Sequence, residues 1–229
     1  MSPSANPLFL ILDIFRAPTA CFAALYQKGK WAWFPYLLLI FSPLVFWDTY
    51  FSMVNFDWLI QSLLDVIGPV DAQVQQDWLN KEILLAGEVF NDVFGRTASI
   101  LMLAFWFKLA TKPSQYQHSY FKWVAACTII MFPAIIGDLA SYVNLLMNHA
   151  HVLPGNADLN SLNGLVKLPL NNPWATYTSA FPLLMPWYIV LSYAAIGAWT
   201  DFDKAKALTI ALLPWLVCFT VWPLFIAIL

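Results

Sequence analysis

Unbroken apolar runs dominate the chain, in place of the one-sided stripes of a soluble fold. Five of them, at residues 31–53, 93–110, 121–146, 179–199 and 206–229, approach the roughly 20 residues that a helix needs to cross a bilayer. The run at 93–110 is the shortest, and Phe105, Trp106 and Phe107 close it with an aromatic belt of the kind that marks a membrane interface. The pattern predicts an all-α membrane protein with five transmembrane helices.

The segments between the runs are patterned differently. Ahead of the first, Leu8, Ile11, Leu12 and Phe15 recur at helical spacing, and Pro18 opens a further turn carrying Phe22 and Leu25. Residues 1–30 are therefore expected to form an N-terminal amphipathic segment lying in the membrane interface, with docking on a partner helix as the alternative. The remainder, residues 31–229, forms the membrane domain. Between the first two spans, Phe56, Leu59, Ile60, Leu63, Leu64 and Ile67 make one stripe opposite Asp57, Gln61 and Asp65, and Gly68 with Pro69 breaks it. A second stripe, Leu79, Ile83, Ala86, Phe90 and Val93, runs into span two without a breaker. An extracytoplasmic helical hairpin with an acidic wet face follows from the pair. The stretch 148–178 carries the turn signals Pro154-Gly155, Asn163-Gly164 and Asn172-Pro173, and predicts an ordered, irregular outer loop.

Composition excludes whole classes of function. Of 229 residues, 61% are hydrophobic and only 10% charged, and the mean hydropathy is +0.66, which no water-soluble fold of this size requires. With a net charge of -2 the chain has no electrostatic footprint for nucleic acid. Cys21, Cys127 and Cys218 lie far apart in apolar surroundings and suit small buried hydrophobes better than a disulfide frame. His149 and His151 are two apart, a spacing that does not align on a helix face, so no metal site is expected beside Asp158. No cofactor is implied.

Orientation follows from the cations. Arg16, Lys28, Lys30, Lys108, Lys112, Lys122, Lys204 and Lys206, eight of the 11 basic residues, fall on one side of the five spans. That side is expected to be cytoplasmic, with the N-terminus inside and the C-terminus outside. The first residues lack a basic stretch and a small-residue cleavage pattern, so the first span is expected to remain as an anchor.

Charge inside hydrocarbon is costly and needs a partner, a water path or a function. Asp138 sits about 12 Å inside the outer end of the third span at 1.5 Å per residue. Asp48 and Arg96 lie in the same outer half of the membrane, and Asn144 and Tyr142 are close to them in depth. These residues form a candidate polar cluster, either an ion pair that fixes helix register or a path for a solute or proton. Pro43, Pro133, Pro182, Pro186, Pro214 and Pro223 fall within the spans, where each removes a backbone donor. The chain has no phosphate-binding glycine loop, no zinc-binding helix motif and no glycine-flanked serine elbow, so an enzyme is not expected.

The run IFRAPTACFAAL, with Pro18, Phe22 and Leu25, resembles the opening motif of the Yip1 family of membrane proteins. Asn172, Pro173 and Trp174 ahead of span four, with Gly197 leading to Asp203-Lys204-Ala205-Lys206-Ala207, resemble the family's ending. Five spans and a cytosolic N-terminus also agree with the family. With residues 1–30 ahead of the first span, the chain is similar to compact prokaryotic members. The resemblance implies multi-pass residence in a cell inner membrane. It further implies a non-enzymatic accessory or assembly protein supporting another membrane complex, such as a MacB-type ABC exporter with its membrane-fusion subunits. The alternative is a small transporter or channel using Asp48, Arg96 and Asp138. Small-residue pairs such as Ala125-Ala126 and Ala194-Ala195 leave a homo-oligomer open.

Overall fold

A computed structural model describes residues 6–68, 70–71, 73, 77–147 and 151–228. Pro69 and His149 lie outside the described residues. The described chain is helical, and its only strand-like feature is one isolated antiparallel bridge between Ser161 and Pro182. Four helical stretches are long and apolar enough to cross a membrane: Gly29–Met53, Lys81–Ala110, Tyr120–Met147 and Lys204–Ile228.

The chain divides into two compact units. The first comprises residues 1–39, 96–133 and 184–229. Helix α1 (Pro7–Arg16) starts where the side chain of Asn6 accepts from the amide of Phe9, with Pro7 preset for the first turn. It ends at Ala17, because the residue before Pro18 is pushed out of helical geometry. Leu10, Asp13 and Ile14 are buried, while Leu8, Phe9, Leu12 and Phe15 are exposed, so most of the apolar stripe faces away from its own unit. Helix α2 (Pro18–Gln27) buries Cys21, Phe22 and Leu25 completely. A 3-10 turn, Gly29–Ala32, leads into α3 (Trp33–Met53).

The second unit comprises residues 40–95 and 134–183. Its core gathers Phe46, Trp47, Tyr50, Phe51, Val54, Leu59, Leu145 and Ala157. Helix α4 (Phe56–Ile67) is capped by Asn55, which accepts from Trp58, and closed by Gly68 at φ +84°. Leu59 and Ile60 point inward and Asp57, Gln61 and Asp65 outward, as the stripe predicts.

Helix α5 (Lys81–Ala110) is one continuous element of 30 residues. At 1.5 Å per residue it is about 45 Å long, well beyond the hydrocarbon thickness, and the second stripe of the expected hairpin is its first part. Helices α6 (Tyr120–Met131) and α7 (Ala134–Met147) are separated at Phe132 and Pro133, where proline supplies no donor. The loop after residue 150 has structure of its own: α8 (Pro154–Ala157), α9 (Leu162–Val166) and α10 (Ala175–Ala180).

Helix α11 (Met185–Trp199) has 15 residues, about 22 Å, where a run at 179–199 was expected. Pro182 stands outside it and Pro186 occupies its first turn, the place where a helix tolerates proline. Helix α12 (Lys204–Ile228) contains Pro214 and Pro223. Of the five runs, four therefore fall in helical stretches of spanning length, the third interrupted at Phe132 and Pro133.

Candidate functional site

Proline in a helix leaves the carbonyl four residues earlier without its N–H donor. Pro43 does this to Leu39, and Nη1 of Arg96 donates to the Leu39 carbonyl at 3.1 Å. Pro214 does it to Ile210, and the indole Nε1 of Trp106 donates there at 2.9 Å. Both donors come from α5. An unmet buried carbonyl costs about 1–3 kcal/mol, so α5 supplies what makes proline tolerable inside two helices in hydrocarbon. Arg96, expected in a polar cluster, donates to the backbone of a neighbouring helix.

Asp138 is buried on α7 and receives two donors. The hydroxyl of Ser42, on α3, reaches Oδ2, and Nδ2 of Asn160 donates to Oδ1 at 2.5 Å. Asn160 fits because residue 137 is glycine: a Cβ there would lie 2.0 Å from Asn160 Oδ1. That oxygen is buried and has no hydrogen-bond partner of its own. Further bonds hold the same loop. The amide of Leu159 donates to Ser141 Oγ at 2.7 Å, and Ser141 in turn donates to the carbonyl of Gly137 at 2.8 Å. The amide of Leu183 donates to the carbonyl of Asn160 at 2.9 Å. Asp138 is in this way the anchor of the segment that follows α7.

Asp138 also lines a cavity of about 260 Å³ with Ser42, Val45, Phe46, Ile135, Leu139 and Tyr142. Asp48 is exposed and lines a separate groove of about 430 Å³ with Leu44, Val45, Thr49, Leu85 and Val89. Asn144 is half-buried on α7. A second acid, Asp92, accepts from the indole of Trp47 at 2.7 Å. His151 meets the ring of Trp58 edge-on at 5.1 Å. Among the described residues no group of three histidines, cysteines or acids is placed to hold a metal.

Asn163 was expected only as a turn residue, yet it is buried and central to the loop that follows α7. Its Oδ1 accepts from Thr178 Oγ1 at 3.0 Å and from the amide of Leu168 at 3.1 Å. Gly164 beside it is obligatory, since a Cβ would fall 2.2 Å from the backbone oxygen of Asp158.

In the first unit the motif residues Phe22 and Leu25 are fully buried, and Pro18 occupies the first turn of α2. The carbonyl of Phe22 accepts from Nε1 of Trp199 at 2.9 Å, which ties α2 to the end of α11. Around this bond sit Tyr26, His118 and Trp123, with His118 Nε2 2.7 Å from the Trp199 carbonyl. Because a carbonyl only accepts, Nε2 carries the proton. Sequence reasoning passed over His118, a single histidine in a short polar connection. Asn172 accepts from the amide of Trp174 at 2.9 Å and shapes the turn through Pro173, while Gly197 and Lys204 are exposed.

No curated protein and no solved structure matches the chain. The family model of the Yip1 domain matches residues 12–225 of the 229. That match takes in both motif regions, three of the long apolar helices and all but the last three residues of the fourth, and the chain belongs to the Yip1 family of membrane proteins.

Proposed function

We propose that this protein is a non-enzymatic accessory subunit that binds and supports another membrane complex, an ABC exporter of the MacB type with its membrane-fusion partner being the assembly to which the family resemblance points. In this reading the chain crosses a cell inner membrane five times, with α11 as the fifth crossing, α1 in the inner interface and an outer hairpin from α4 and the start of α5. The lysines near span ends, Lys28, Lys108, Lys122 and Lys204, support a cytoplasmic N-terminus.

The observation that carries the reading is the engagement of Asp138. Its carboxylate is bonded to Ser42 and Asn160 and holds a loop in place. Arg96 likewise serves the Leu39 carbonyl. The surfaces left for action are apolar: the outward face of α1, with Leu8 65% exposed, and α12, with Leu216, Val217, Leu224 and Phe225 exposed. Such faces suit lipid or a partner's helices.

A small transporter or channel is the second reading, favoured by the groove at Asp48. Reconstitution separates the two. An accessory subunit moves no solute when reconstituted alone and changes the ATPase rate of a co-reconstituted exporter, whereas a transporter acts alone and its flux falls in the Asp48→Asn variant.

A further inference from the structure

Three lysines of the first unit sit at the ends of apolar helices. Lys28 directly precedes the stretch Gly29–Met53, Lys108 stands two residues before Ala110, and Lys122 two residues after Tyr120. Such ends mark the level at which hydrocarbon gives way to headgroups. Each ammonium is held in place by something other than an acid. Lys122 Nζ lies 3.9 Å from the centre of the Tyr26 ring, Lys28 Nζ lies 4.5 Å from that of Trp31, and Lys108 Nζ donates to the His118 carbonyl at 2.7 Å. The rings of Tyr26 and His118 meet edge-on at 5.5 Å, so Lys122, over the Tyr26 ring, and Lys108, at the His118 backbone, are tied to the same pair of residues. Arg16 pairs with Asp13 at 3.0 Å, an ion pair in which none of these lysines takes part.

An ammonium has three donors, and a ring face or a single carbonyl engages only one direction of it. Lys108 and Lys122 thus retain N–H groups to offer, beside the partly exposed Tyr26. We propose that Tyr26, Lys108 and Lys122, extended by Lys28, form a headgroup site for an anionic phospholipid, the phosphodiester lying between the two ammoniums and the Tyr26 hydroxyl beside it. Charge complementarity selects the lipid. An anionic headgroup such as phosphatidylglycerol neutralises this pair of cations, whereas the choline of a zwitterionic lipid brings a further cation to them. The inference rests on the protein's membrane residence and is independent of the accessory role.

The test is native mass spectrometry of the full chain in a neutral detergent, with phosphatidylglycerol or phosphatidylcholine added at equal concentration. Phosphatidylglycerol is expected to be retained in preference, with retention falling about fivefold in Lys122→Gln and about 25-fold in the Lys108→Gln/Lys122→Gln double variant. Lys122→Arg keeps the charge over the ring and should retain the lipid, and a thermal melt verifies that each variant is folded. Equal retention of the two lipids would overturn the proposal, as would unchanged retention in a folded Lys122→Gln variant. Displacement of the lipid by millimolar inorganic phosphate would assign the site to a free anion and overturn it as well.

Discussion

Arg96 donates to the carbonyl of Leu39, four residues ahead of Pro43, and so supplies the hydrogen bond that the proline removes. Trp106 does the same for Ile210 ahead of Pro214. One helix, α5, therefore provides donors at the prolines of two others, and the two long-range bonds meet carbonyls that proline leaves without their N–H donor.

A double-mutant cycle follows from the first of these. Arg96→Ala is expected to destabilise the protein by about 1–3 kcal/mol by orphaning a buried carbonyl. In a Pro43→Ala background the missing N–H is restored, and the same Arg96→Ala change should cost markedly less. Unfolding in detergent provides the measurement, and an equal cost in both backgrounds would show that the guanidinium acts through some other partner.

Gly137→Ala should detach the loop from α7. The new Cβ would lie 2.0 Å from Asn160 Oδ1, so the amide must leave, taking its bond to Asp138 with it. A loss of about 1–3 kcal/mol is expected, together with faster proteolysis within residues 151–183. Adding Asn160→Ala should remove the clash and make the glycine change nearly neutral. Wild-type proteolysis rates in Gly137→Ala would contradict the geometry.

Acid should weaken the connection between α5 and α6. The hydroxyl of Ser114, first, and then the amide of Gln115 hold the Asp201 carboxyl below its ordinary range, at 2.6 and 3.2 Å. A folded-state value lower than the unfolded one adds stability that is fully present above the unfolded value and is lost as pH falls through the folded one, here below about pH 4. Thermal melts across pH should show that loss, and Ser114→Ala should flatten it. An identical acid response in the variant would remove Asp201 from the account.

Topology can be read with a single cysteine. Asp57 and Asp65 are exposed on α4, so a cysteine at either position in a Cys218→Ser background should react with an impermeant thiol reagent added outside intact cells. Cys21 and Cys127 will not compete, being buried, and burial together with the nearby Asp13 pushes the Cys21 thiol up and away from its reactive thiolate form. Labelling that appears only after lysis would invert the proposed orientation.

The long helices were legible because run length alone decides them: residues 31–53, 121–146 and 206–229 needed no tertiary information. The segment 179–199 was overextended because hydropathy ignores where proline is allowed. Pro182 is excluded from the helix and Pro186 can only open one, which leaves α11 its 15 residues. Depth along the spans marked Asp138 as needing a partner. That partner, Asn160, lies in a polar loop where no periodicity points to it, and only the fold brings it to Gly137. The acceptor of Arg96 was within reach of sequence reasoning, since Pro43 names Leu39 by the four-residue rule. His118 had no signal at all: its place between Tyr26 and Trp199 exists only once α2, α6 and α11 are packed.

The accessory role is tested most directly by purifying the protein from native membranes in a mild detergent and identifying by mass spectrometry what accompanies it in stoichiometric amount. The account predicts recovery of another membrane complex, an ABC exporter foremost, at a fixed ratio to this chain. Recovery of the protein alone, in preparations where other membrane assemblies stay intact, would contradict it and shift the weight to transport through the groove at Asp48.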